Sequence, residues 1–181
     1  MPSPVGHALA GIAIAWCAPR TPGEGAGPTP LSGLTVTCAA LAALPDADLV
    51  YPPMHRTITH GVGSAILVTI IAAGVTGWVT KRGPWRIALV CGAAYASHIL
   101  LDWLGSDPNP PIGIQALWPF SHDWYIAPWT IFPGTERRHL FTTAALVTNA
   151  WSVAVEVVVL SPFLLAIAWW RRTKLRTGRE F

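Results

Sequence analysis

The chain has 181 residues, of which 52% are hydrophobic and only 12% are charged, and its formal net charge is +3. A soluble domain usually carries roughly 25% charged residues, so this composition argues against an ordinary soluble enzyme and predicts one membrane-embedded domain, residues 1–181. The Lys and Arg residues lie at the ends of apolar segments and do not alternate with aromatic residues, so a nucleic-acid partner is not predicted.

Two short apolar segments open the chain. Residues 5–17 are rich in Gly and Ala and include His7, and residues 31–44 end at Pro45. The Pro- and Gly-rich residues 18–30 between them predict a loop. At about 1.5 Å per residue, each segment gives roughly 20 Å of helix, which is shorter than the ~30 Å hydrocarbon core of a bilayer. The two segments are therefore predicted to be either short spans buried among other helices or a re-entrant hairpin.

Three longer apolar segments follow. Residues 61–79 carry no charge, and residues 87–104 form the next predicted span. The segment 140–170 is too long for one straight span, so we predict an amphipathic or tilted start and a span proper at 148–170. Residues 105–138 form a long loop whose tryptophans are typical of a membrane interface. The predicted fold is an all-α, multi-pass transmembrane helical bundle of about five helices, with the first two short.

The distribution of basic residues predicts the orientation. Five passages place the segment 45–60 and the loop 105–138 on one side, and the loops 18–30 and 80–86 and the basic tail 171–181 on the other. The second side holds nine of the 12 Lys and Arg residues. Because cytoplasmic loops carry an excess of Lys and Arg, the tail is predicted to be cytoplasmic and the long loop to be outer.

Two pairs of polar residues stand out against this apolar background. His98 and Asp102 are four residues apart, so on a helix they share one face and can bind a cation together. The plain alternative is a hydrogen bond between packed helices. Asp46 and Asp48 follow Pro45, and two carboxylates this close repel each other unless a cation or an arginine lies between them.

These groups are predicted to meet at the outer membrane face. An ionisable residue at membrane depth costs about 2.5–3.5 kcal/mol on insertion scales, and such residues usually serve a function. Histidine and carboxylate without thiolate is a ligand set for Zn²⁺, with Mn²⁺ or Fe²⁺ as alternatives. The predicted metal ligands are His7, Asp46, His60, His98 and Asp102, and two further candidates are His55 and Glu156.

A metal in this cluster would make a hydrolytic site. The ion would lower the pKa of a bound water toward neutrality and so create a nucleophile. Asp48 is predicted to act as the general base that takes the proton. Arg56 is predicted to pair with an anionic oxygen of the substrate.

The sequence contains four motifs that belong together: Pro45-Asp46-Ala47-Asp48, His55-Arg56 with Thr59-His60, His98-x3-Asp102 and Leu117-Trp118-Pro119-Phe120. In combination they resemble the small bacterial membrane-bound metal-dependent hydrolases, the YdjM-like family. The resemblance runs from His7 to about Phe120 and implies an inner membrane protein with a metal site. The sequence departs from the family pattern at Gly61, where a serine is expected.

The order His7, Asp46 or Asp48, His60, and His98 with Asp102 is also similar to zinc-dependent phospholipase C and the fungal single-strand nucleases. The downstream His-x3-Glu of those enzymes is missing here, which favours one or two metal ions over three. Location and this second resemblance together predict hydrolysis of a phosphoester on a lipid or lipid-linked substrate that enters from the bilayer. The alternatives are a non-catalytic membrane metal-binding or regulatory protein and a small ion or proton transporter. The substrate and the oligomeric state are left open.

Overall fold

The computed structural model describes residues 1–18, 32–51, 55–80, 84–137 and 139–176. Most of the predicted loop 18–30, residues 81–83 of the predicted loop 80–86, and the end of the basic tail from residue 177 onward lie outside the described residues. Among the described residues the fold is helical: isolated β-bridges occur, but no strand is formed.

The described residues form a bundle of five α-helices, in agreement with the predicted fold class. Two short 3₁₀ segments, Leu44–Val50 and Ile58–His60, lie between the second and third helices. The helices are α1 Pro4–Cys17, α2 Gly33–Ala43, α3 Val62–Thr80, α4 Trp85–Trp103 and α5 Thr143–Arg176.

Within the part of the chain that the structure describes, three segments are long and apolar enough to cross a membrane: Gly33–Val50, Val62–Val79 and Thr143–Thr173. The first reaches this length only because the 3₁₀ segment continues α2. Helix α1 has 14 residues and remains short, as predicted.

The last helix differs from its prediction. An amphipathic or tilted start followed by a span proper at 148–170 was expected, whereas α5 is one helix of 34 residues that begins at Thr143 and continues through Pro162 to Arg176. At about 1.5 Å per residue it is roughly 51 Å long. The apolar sequence extends the helix on both sides of the proline, so α5 is longer than the bilayer core is thick.

Helix α1 packs against α2, α4 and α5, and α4 also packs against α2 and α3. Small residues permit the closest approaches. A Cβ added to Gly11 of α1 would lie 2.3 Å from the carbonyl oxygen of Cys38 in α2, and one added to Gly92 of α4 would lie 1.9 Å from Oγ1 of Thr69 in α3. This packing brings the start of α1, the end of α2, the start of α3 and the end of α4 to one end of the bundle.

The segment 105–137 covers that end. Ile114 is fully buried, and its backbone pairs with that of Tyr125 at 3.0 and 2.8 Å. The amides of Val62 and Gly63 at the start of α3 donate to carbonyls of the segment, at 2.9 and 2.8 Å. The loop is thus hydrogen-bonded onto the bundle and lies over the polar residues beneath it.

Candidate metal centre

Three imidazoles surround one carboxylate at the covered end of the bundle. His7, His60, His98 and Asp102 are each 0% exposed. Oδ2 of Asp102 lies 3.1 Å from Nε2 of His98 and 3.3 Å from Nε2 of His60, and Oδ1 lies 3.4 Å from Nε2 of His7. The rings of His7 and His98 stack with centroids 3.7 Å apart. Residues separated by up to 95 positions in sequence therefore meet at one point.

Hydrogen bonds on the far side of two rings set their orientation. Nδ1 of His98 lies 2.7 Å from the carbonyl oxygen of Ala42, at the end of α2. Nδ1 of His60 lies 3.0 Å from Oγ1 of Thr59 and 3.4 Å from Oδ2 of Asp48. A proton on each Nδ1 leaves the Nε2 lone pair facing Asp102, which is the arrangement usual for histidines that bind metal.

The inner atoms of this cluster have no hydrogen-bond partners. Among the described residues, seven buried side-chain nitrogen or oxygen atoms are unpartnered, and six of them belong to His7, His60, His98 and Asp102. In folded proteins roughly 90% of buried polar groups are hydrogen-bonded, so a concentration of this kind requires an explanation. Lone pairs that face one another are stabilised by a positive charge between them.

The charges around His60 also favour a positive charge within the cluster. Burial disfavours its charged form, but the carboxylates of Asp102, Asp46 and Asp48 outweigh burial and raise the pKa of His60 well above its usual value. Three sets of residues bring their ligand atoms within 4.8 Å of one another and can hold a metal ion. The sets are His7, Asp46 and His98; Asp46, His55 and His60; and His60, His98 and Asp102.

Asp46 lies at the rim of the cluster and carries a partner that the sequence reading missed. Its Oδ1 is 3.9 Å from Nε2 of His60 and 3.0 Å from Nη1 of Arg137, and Arg137 also reaches Oδ2 at 3.4 Å. The sequence did indicate that an arginine could pair with these carboxylates, because two adjacent carboxylates require a cation. Few arginines lie on the predicted outer side, and Arg137 is one of them. The loop between α4 and α5 offered no pattern that could place it.

Asp48 orients two histidines. Its Oδ1 lies 2.6 Å from Nδ1 of His55, and its Oδ2 accepts a hydrogen bond from the Thr59 hydroxyl and faces Nδ1 of His60. Asp48 therefore lies behind His60 as seen from Asp102. Its role as general base stays a prediction.

Arg56 turns toward the covering loop. Its backbone adopts a positive φ of 68°, and its guanidinium forms an ion pair with Asp107 and lies 5.7 Å from the ring centroid of Trp124. Its Nη1 also donates to the carbonyl oxygen of Asn109 at 3.3 Å. These contacts anchor the loop, and the predicted role of Arg56 in substrate binding stays a prediction.

Glu156, a further candidate ligand, binds the start of α1 instead. It is fully buried, and its carboxylate accepts hydrogen bonds from the amides of Ser3 at 2.6 Å and Gly6 at 3.0 Å and from the Ser3 hydroxyl. The sets that can hold metal do not include it. The structure thus gives its ligand role no support and shows it as a cap, from another helix, on the helix that carries His7.

Gly61, the departure from the family pattern, lies directly under the covering loop. A Cβ at this position would lie 2.7 Å from Cβ and 3.0 Å from the carbonyl oxygen of Trp118. Close packing of the loop on the start of α3 therefore takes the space that a serine side chain would need.

Comparisons with known proteins agree with the helical, apolar structure. The family model for YdjM inner membrane protein matches residues 1–175. The chain is 28% identical over 144 residues to the inner membrane protein YbcI of Escherichia coli (strain K12), and this alignment covers 73% of the chain and 80% of YbcI. No solved structure gives a significant match. The match over nearly the whole length shows that the chain belongs to the YdjM inner membrane protein family.

Proposed function

We propose that this protein is a metal-dependent hydrolase of the inner membrane that cleaves a phosphoester of a lipid or lipid-linked substrate. The observation that carries the proposal is the group of six unpartnered, fully buried atoms on His7, His60, His98 and Asp102. Three imidazoles and one carboxylate match the ligand preference of Zn²⁺, with Mn²⁺ or Fe²⁺ as alternatives. A divalent ion held there supplies Lewis acidity for hydrolysis.

The chain's own residues would prepare this site in three ways. Ala42 and Thr59 hold the rings of His98 and His60 with their Nε2 lone pairs inward. Asp46, which is 7% exposed, connects the buried cluster to its rim. Asp48 is our candidate for the proton acceptor because its carboxylate already accepts a hydrogen bond from the Thr59 hydroxyl and lies 2.6 Å from Nδ1 of His55.

The location of the cluster supports a substrate that comes from the bilayer. It lies at the ends of four helices, under a loop that carries an exposed apolar surface at Phe120 and Trp129. At the opposite end of α1, Arg171 of the basic end of α5 donates to the carbonyl oxygen of Trp16 at 3.2 Å. Because basic residues favour the cytoplasmic side, we propose that the site opens to the non-cytoplasmic side and that the C-terminal end of α5 is cytoplasmic.

Metal analysis of the purified full-length chain tests the site. We expect bound Zn²⁺, Mn²⁺ or Fe²⁺ in the unmodified protein and its loss in His98→Ala and Asp102→Ala. His139→Ala is the matched control, because it removes an exposed imidazole and should leave the metal content unchanged. Metal content that survives both changes in the cluster would refute the site.

Release of inorganic phosphate from lipid monophosphates and lipid pyrophosphates, and of the water-soluble head group from phospholipid diesters, then tests the activity. We expect turnover of at least one of these classes by the metal-loaded protein, and its loss in the same two variants. A protein that binds metal through these residues but hydrolyses none of the classes would contradict the enzymatic proposal.

The second candidate function is non-catalytic metal binding. It is favoured by the complete burial of the four inner residues, because a closed set of four ligands is typical of structural zinc sites. Replacing the bound metal with Co²⁺ separates the two candidates. An absorption spectrum that changes on addition of inorganic phosphate indicates an open position and favours catalysis, whereas an unchanged spectrum favours the structural role.

A further inference from the structure

Arg137 brings a positive charge to the rim of the centre, and every N–H group of its guanidinium has a hydrogen-bond partner. Nη1 lies 3.0 Å from Oδ1 of Asp46 and 3.3 Å from Nε2 of His55, and Nη2 lies 3.0 Å from the carbonyl oxygen of Pro2 and 3.4 Å from Oδ2 of Asp46. Nε donates to Oγ1 of Thr135 at 3.2 Å. A guanidinium has five N–H groups, and each has a partner here. The guanidinium of Arg137 is therefore fully hydrogen-bonded, whereas six atoms of His7, His60, His98 and Asp102 have no hydrogen-bond partner.

The guanidinium lies where a second ion would bind. Asp46, His55 and His60 form one of the three sets that can hold a metal, and Nη1 of Arg137 contacts two of its three members. Nδ1 of His55 lies 2.6 Å from Oδ1 of Asp48, and this contact places the ring proton on Nδ1. The lone pair of Nε2 then faces Arg137. The lone pair that His55 would give to a metal ion is thus already used.

The backbone around Arg137 holds the side chain in this place. The amide of Glu136 donates to Oδ1 of Asn149 at 2.7 Å, and Nδ2 of Asn149 donates back to the carbonyl oxygen of Glu136 at 2.9 Å. The Ser152 hydroxyl donates to the carbonyl oxygen of Gly134 at 3.0 Å. Helix α5 therefore fixes residues 134–136, and the guanidinium reaches the rim of the cluster from a rigid support.

We infer that the guanidinium of Arg137 takes the place of a second metal ion, so that the centre holds one ion, at His7, His60, His98 and Asp102. This inference rests on the proposed metal site and specifies its stoichiometry. A divalent ion at Asp46 and His55 would lie against a fixed positive charge and would have to displace a fully hydrogen-bonded arginine. The single charge of Arg137 neutralises Asp46 without an ion.

Zinc stoichiometry of the full chain tests the inference. The protein, purified in detergent, is equilibrated with excess Zn²⁺ and desalted, and zinc is measured per chain by mass spectrometry. We expect one zinc in the unmodified protein and two in Arg137→Ala and in Arg137→Gln, which retains hydrogen-bonding capacity. The double variant Arg137→Ala with His55→Ala should return to one. Arg56→Ala is the matched control, since it removes an arginine that pairs with a different carboxylate, Asp107, and this variant should hold one zinc.

The outcomes distinguish this inference from the proposed function. Two zinc ions in the unmodified protein would overturn the inference and leave the metal-dependent function standing. One zinc in folded Arg137→Gln would also overturn it, with circular dichroism and gel filtration used to establish folding. No zinc in the unmodified protein would overturn both. Even if the arginine variants do not fold, two zinc ions in the unmodified protein would overturn the inference.

Discussion

The buried carboxylate of Glu156 gives the sharpest test of how this fold positions its cluster. It caps α1 from another helix, and the amide of His7 closes the first turn of α1 by donating to the carbonyl oxygen of Ser3 at 3.2 Å. Glu156→Gln preserves the shape of the side chain but removes its negative charge. It also replaces one acceptor oxygen with an amide group that faces the donors of Ser3 and Gly6.

The expected loss follows from the three hydrogen bonds. Removing one hydrogen bond to a charged group costs about 1.5–3 kcal/mol, and removing a negative charge from a helix N-terminus costs up to about 2 kcal/mol. Because these terms overlap, we expect the free energy of unfolding to fall by about 2–4 kcal/mol. If half of this loss appears as poorer placement of His7, the dissociation constant for metal rises roughly tenfold.

Thermal unfolding in detergent, followed by the fluorescence of the 10 tryptophans, measures the first effect, and a competitive zinc titration measures the second. Gly6→Ala disrupts the same contact from the side of α1, because its new Cβ would lie 2.7 Å from Oε2 of Glu156. The two changes should therefore be non-additive in a double-mutant cycle. Asp123→Asn, at an exposed loop carboxylate, is the control and should change stability by no more than about 0.5 kcal/mol. An unchanged stability in Glu156→Gln, or additive losses, would refute the capping role.

Three further outcomes are expected. Asp48→Asn should weaken zinc binding by about 10- to 100-fold in a competitive titration, because Asp48 orients His60 from behind; unchanged affinity would contradict this role. Gly61→Ser should lower the free energy of unfolding by about 1–3 kcal/mol, since its Cβ would overlap Trp118, and a gain in thermal stability would contradict the packing argument. Asp123→Cys should react with a membrane-impermeant maleimide in intact spheroplasts, and labelling only after lysis would overturn the proposed orientation.

The helical fold could be predicted largely from the sequence, because long apolar segments leave few alternatives in a bilayer. The segment 61–79 became α3, Val62–Thr80, and 87–104 became α4, Trp85–Trp103. The continuous course of α5 could not be predicted in the same way. A proline inside a helix usually kinks or interrupts it, so the sequence pattern alone did not decide whether the helix continues past Pro162.

The centre was partly predictable for a similar reason. His98 and Asp102 share a helix face by their spacing, and the passage count brings His7 and His60 to the same end. The contacts of Glu156 and Arg137 could not be found from spacing, because each joins elements more than 90 positions apart through side chains. Local periodicity contains no information on which loop residue returns to a helix end.

The inner cluster also links metal binding to the assembly of the bundle. His7 belongs to α1, His60 precedes α3, and His98 and Asp102 belong to α4, which itself packs against α1, α2 and α3. With no partner for their inner atoms, these residues oppose the close approach of the helix ends, because burying unpaired polar atoms costs free energy. An ion bound to one nitrogen of each imidazole and to the Asp102 carboxylate reduces that cost only when the ends are together, so its binding free energy also stabilises the packed bundle. Zinc should therefore stabilise the covered end of the bundle more than the end at Trp16 and Arg171, a difference that hydrogen exchange measured with and without zinc would resolve.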